Sequence, residues 1–145
     1  MEVAVNQGDA AKKLSIFLKI PYMSESEVYE KWNYLKHKNM VLVGGAYAND
    51  LTASVNQNLS YQFKNLDQST TWGFVNATVI KERDKATIEL IESPFTYPTY
   101  QRRILIAAGL TRIGTQKAVD YLINENWKYT DRAKKEFGEK NQILL

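Results

Sequence analysis

Phe95, Tyr97 and Tyr100 bracket Pro94 and Pro98 and run directly into Arg102 and Arg103. Rings and guanidinium groups in one short stretch are the materials that hold single-stranded nucleic acid, with bases stacking on aromatics and cations neutralising phosphates. The same residues also serve a fold with no ligand, the rings sealing a sheet to a helix and the arginines lying in solvent or ion pairs. On a helical reading Arg102 projects with Ile106 and Ile113, which leaves Arg103 as the more outward of the two. Arg112 and Lys117 flank Gly114 as a second basic spot, and Lys128, Arg132, Lys134 and Lys135 form a third. Cations spread over separate elements suit contacts to a phosphate backbone better than base readout. They equally suit solvated helix faces or ion pairs between identical subunits. The candidate nucleic-acid contacts are therefore Tyr97, Tyr100, Arg102, Arg103, Arg112, Lys117, Arg132, Lys134 and Lys135.

Residues for catalysis are scarce. The single histidine, His37, stands between Lys36 and Lys38 at the end of a predicted helix, where a polar or cationic side chain complements the helix dipole. The sequence has no HExxH, no GxSxG and no glycine-rich loop ending in Lys-Ser/Thr. Gly44-Gly45 alone does not make a phosphate cradle. Glu82, Asp84, Glu89 and Glu92 are close in sequence, as the turn and wet edge of a hairpin would place them. No catalytic residue, metal site or cofactor is expected, and the chain reads as a non-enzyme.

Composition narrows the setting. At 145 residues and 44% hydrophobic, the chain suits one domain with its own core. Its 19 Lys and Arg against 16 Asp and Glu give a net charge of +3, a mixed surface compatible with a polyanionic partner. With no cysteine there is no disulfide framework and no thiol chemistry, which points to the cytoplasm. No apolar run reaches the length that spans a bilayer, and no membrane is expected as a partner.

The elements that must position these residues follow from periodicity. Asp9 as an N-cap and Leu14, Phe17 and Leu18 at helical spacing predict a helix over 10–20, stopped by Pro21. Ser24 and Glu27 form a capping box ahead of a helix burying Val28, Trp32 and Leu35. Val41 to Val43 before Gly44-Gly45 are compatible with a strand and turn, but steps of three and four from Met40 to Val55 favour a helix loosened at the glycines. Alternation then takes over at Leu59–Phe63, Trp72–Ile80 and Thr87–Ile91, predicting a three-stranded antiparallel meander over 59–92. Pro98 and the run Ile104 to Leu110 predict a central helix, apolar all round and hence buried. Thr115 caps a further helix over 116–126, Thr130 begins a last one ending at Gly138, and residues 139–145 form a flexible tail. The expected fold is α+β and mainly α: one domain over 1–145, helical over 9–58 and 98–137, with a small three-stranded antiparallel β insertion at 59–92.

With Arg102 to Gly114 (RRILIAAGLTRIG) as its core segment, this layout resembles the small subunit of the archaeal type I-A CRISPR interference complex, Cascade. The resemblance implies a subunit of an antiviral ribonucleoprotein that self-associates into an oligomer beside other subunits. It also implies support of guide RNA or single-stranded DNA by weak contacts that are not sequence-specific, with sequence reading left to base pairing. No residue role is transferred from that family. The alternative is a protein-interaction module, such as a mobile-element structural protein or an inhibitor of a host enzyme, with the aromatics near Tyr97 as interface anchors.

Overall fold

A computed structural model describes residues 2–5, 8–66, 72–96, 101–125 and 142–145. In chain order the elements are β1 (Glu2–Val5), α1 (Gly8–Leu18), β2 (Tyr22–Met23), α2 (Glu25–Glu30), α3 (Trp32–Leu35), β3 (Met40–Val43) and α4 (Asp50–Val55). They continue with β4 (Gln62–Asn65), β5 (Trp72–Asn76), β6 (Thr78–Ile80), β7 (Ala86–Glu92), β8 (Arg103–Gly109), α5 (Arg112–Asn124) and β9 (Gln142–Leu144). Six strands form one sheet in the order β2-β1-β3-β8-β7-β9, and β4-β5-β6 form a smaller antiparallel sheet. In the larger sheet β2, β1, β3 and β8 are parallel neighbours, and β7 runs antiparallel to both β8 and β9.

The apolar run Ile104 to Ala108 is the centre of this sheet. It is a strand, not the predicted helix, paired with β3 on one side and β7 on the other. The reason is burial on both faces: a central parallel strand covered front and back carries a continuous apolar run, which periodicity alone cannot distinguish from a buried helix. Alternate residues serve different layers. Leu105 and Ala107, with Val41 and Val43 of β3, pack against Leu14 of α1 and Ala118, Val119 and Leu122 of α5. Ile104, Ile106 and Ala108, with Met40 and Leu42, pack against Val28 of α2, Leu35 of α3, Leu51 and Val55 of α4, and Phe63 and Phe74 of the smaller sheet. Met40–Val43 is likewise a strand, buried throughout.

The mainly helical layout with a three-stranded insertion is therefore incorrect. The described residues form a mixed α and β fold with two sheets. A three-stranded antiparallel sheet does exist, but its third strand is β6, and the predicted third strand instead becomes β7 of the larger sheet. Within the predicted tail, Gln142–Leu144 forms β9 along β7. The mainly helical architecture on which the resemblance to the CRISPR subunit rested is not the one that the described residues form. The readings that rest on local signals fare better. The Ser24–Glu27 capping box is present in both directions, and α1 ends before Pro21. The predicted helix from Thr130 to Gly138 lies outside the described residues.

Candidate functional site

The carboxyl ends of β3 and β8 lie side by side, Val43 opposite Ala107. The helices that follow them leave in opposite directions, α4 to the layer of α2 and α3, α5 to the layer of α1. When two neighbouring parallel strands send their helices to opposite faces, their loops part and leave a crevice at the strand ends, the usual place for a ligand in such sheets.

Both loops are tightly built. Gly44 takes a positive φ of 115° at the end of β3, and its amide donates to the Ala107 carbonyl at 3.0 Å. Asn49, fully buried, caps α4 by accepting from the Leu51 and Thr52 amides at 3.0 and 3.2 Å, while its Nδ2 donates back to the Val43 carbonyl at 3.1 Å. The Thr52 hydroxyl closes the loop on the Gly44 carbonyl at 2.9 Å. Across the crevice, the Gly109 amide donates to Thr115 Oγ1 at 3.0 Å, so that the end of β8 touches the first turn of α5. A Cβ on Gly109 would run into the backbone of Gly114 and Thr115. The turn before β7 is fastened to the same loop: Leu110 donates its amide to the Lys85 carbonyl at 3.1 Å, and the Thr111 hydroxyl donates to the Arg83 carbonyl at 2.6 Å.

Between these loops is a cavity of about 530 Å³, lined by Tyr47, Trp72, Arg83 and the run Leu110 to Ile113. Tyr47 comes from the loop after β3 and Trp72 from the start of β5, and their rings lie 5.9 Å apart between centroids, tilted by 30°. Arg83 and Arg112 are exposed and supply the charge. Thr111 is the N-cap of α5, but its hydroxyl is engaged with Arg83 and makes no cap hydrogen bond, and the first turn carries no acid. The positive end of the helix thus adds to the two guanidiniums. Among the described residues that line the cavity there is neither carboxylate nor imidazole.

The predicted residues are dispersed. Arg112 lies in the crevice. Arg102 and Arg103 are at the opposite end of β8: Arg102 Nε donates to the His37 carbonyl at 2.8 Å, and the Arg103 amide donates to Asn39 Oδ1 at 2.8 Å. Phe95 meets Trp32 edge-on at 4.8 Å, which is the sealing role. Lys117 faces Asp84 at 3.8 Å on the outer side of α5. Tyr97, Tyr100, Arg132, Lys134 and Lys135 lie outside the described residues.

Glu89 corrects the reading of the acidic cluster as a wet edge, for it is only 1% exposed. Its carboxylate accepts from the Ser60 and Tyr61 amides at 2.6 and 3.1 Å and from the Thr87 hydroxyl at 3.0 Å. Burial pushes its pKa up, against the pull of those hydrogen bonds. It fastens the chain entering the smaller sheet to the larger one. Among the described residues no group of acidic or histidine side chains is placed to hold a metal ion, and no helix is long and apolar enough to cross a membrane.

Sequence reasoning missed Tyr47, Trp72 and Arg83. The available signal was a pattern used twice: an apolar run, a glycine, and then a helix start, at Met40–Asn49 and again at Ile104–Thr111. Set against known proteins, the chain matches no family model and no curated protein sequence, so its function has to be read from this geometry.

Proposed function

We propose that the chain is a ligand-binding domain that takes a small aromatic anion, a flat ring bearing a phosphate-like group, in the crevice between β3 and β8. The observation that carries this is the lining of one cavity by a pair of rings, Tyr47 and Trp72, together with two arginines, Arg83 and Arg112. Guanidinium forks match phosphate oxygens two at a time, and a ring pair offers a π-face to any flat partner. A volume of about 530 Å³ falls within the range of small-molecule sites.

The test is binding of naphthyl phosphate by calorimetry. Binding is expected for naphthyl phosphate but not for naphthol or inorganic phosphate at the same concentration. Trp72→Ala should weaken it by roughly 5- to 150-fold, from the ~1–3 kcal/mol that stacking contributes, and Arg112→Ala comparably. Equal binding by wild type and both variants would contradict the assignment.

A second reading keeps nucleic acid as the partner, because stacking beside arginine is also how a single strand is gripped. It predicts affinity that falls steeply between 50 and 200 mM salt.

A further inference from the structure

The crevice does not stop at α5. A second cavity, of about 730 Å³, lies against the outer side of that helix, and the two share Arg112 and Ile113 as a common wall. Ile113, 64% exposed, is an apolar side chain standing on the ridge between two concave surfaces.

The two linings have different chemistry. The first has rings and arginines and, among the described residues, no carboxylate. The second has Gln116, Lys117, Asp120 and Asn124 along α5 and Asp84 from the turn before β7, with Tyr121 and Leu145 as apolar floor. Asp84 Oδ2 faces Lys117 at 3.8 Å, and Asp120 Oδ1 is bonded to Lys13 at 2.8 Å and to Gln116 Nε2 at 3.0 Å, so one oxygen of each carboxylate remains as an acceptor. The ion pair with Lys13 holds Asp120 below the usual carboxylate range and keeps it charged. Each carboxylate there is balanced by a lysine, so the surface carries little net charge and accepts from hydroxyl and amino groups. The anionic part of a ligand spanning both cavities therefore belongs on the ridge, where Arg112 lines both and Arg83 and Lys117 stand on either side.

Resting on the crevice reading above, we infer that the ligand has two parts and is a dinucleotide: one base stacks with Trp72 and Tyr47, the linking phosphate sits on Arg112, and the second nucleoside lies along α5. The hydroxyls and amino groups of that second unit meet Asp84, Gln116, Asp120 and Asn124. A mononucleotide fills only the first cavity.

The experiment compares a dinucleoside monophosphate with the matching nucleoside monophosphate by calorimetry on the full chain. The dinucleotide is expected to bind at least tenfold more tightly. Gln116→Ala should erase most of that advantage while leaving mononucleotide affinity unchanged. Asn124→Ala, at an exposed position, makes the same test should the first variant fail to fold. Equal affinity for the two ligands, with naphthyl phosphate still bound, overturns the two-part ligand and leaves the crevice reading standing. Loss of naphthyl phosphate binding as well removes both. An oligonucleotide whose affinity keeps rising beyond two units also overturns the inference, in favour of a strand.

Discussion

The two ends of β8 carry the same kind of side chain and do opposite things with it. At the amino end, Arg102 spends its Nε on the His37 carbonyl, and its own carbonyl accepts from the Ser93 amide at 2.8 Å, while Asn39 holds the Arg103 amide. There the chain closes on itself. At the carboxyl end, the neighbouring strands send their helices to opposite faces, and Arg112 stands exposed at the mouth of a cavity with Arg83 and two rings. Charge alone does not distinguish the two. What differs is whether the surrounding backbone converges or parts, and among the described residues the parted end lines a cavity.

The comparison can be broken most severely at the glycine that ends β8. Gly109→Ala drives a methyl group into the backbone of Gly114 and Thr115, which cannot yield as a side-chain tip would. It should cost roughly 3 kcal/mol or more, at the upper end of overpacking, read as a lower denaturant midpoint.

Next in size is the strut between the sheets. Glu89→Ala leaves the part-buried Ser60 and Tyr61 amides without their acceptor, at about 1 kcal/mol for each lost hydrogen bond. Because burial raises the Glu89 pKa, the folded protein holds that proton more tightly than the unfolded chain. Stability should then fall as pH rises from about 4.5 through the raised value, and flatten above it. Glu89→Gln should remove that slope, as measured by denaturant midpoints across a pH series. An unchanged slope would show that the carboxyl is not desolvated.

A sharper contrast comes from truncating one arginine at each end. Arg112→Ala should weaken naphthyl phosphate binding by roughly fivefold or more with little change in stability. Arg102→Ala should leave binding intact and cost about 1 kcal/mol of stability through its lost hydrogen bond. The smallest effect belongs to Lys117→Ala, whose exposed pairing with Asp84 at 3.8 Å should contribute under about 0.5 kcal/mol.

Local signals in the sequence were legible because they act within a few residues. The Ser24–Glu27 box and the stop at Pro21 need no tertiary partner to operate. The identity of Ile104 to Ala108 was not legible, because a run buried on both faces has lost the alternation that marks a strand. Its two alanines also suit a helix, and here they fit the layers on either side of the sheet. Once that strand was misread, the loops at its ends were misplaced too. Arg112 was visible as a cation, but Tyr47, Trp72 and Arg83 come from three distant stretches that only the sheet order brings together.

The most direct test is an amide NMR titration with naphthyl phosphate. Perturbed signals should concentrate at residues 44–49 and 109–113, with Trp72 and Arg83 among them. Perturbations gathered instead at His37, Asn39, Arg102 and Arg103 would place the ligand at the wrong end of β8 and contradict the account.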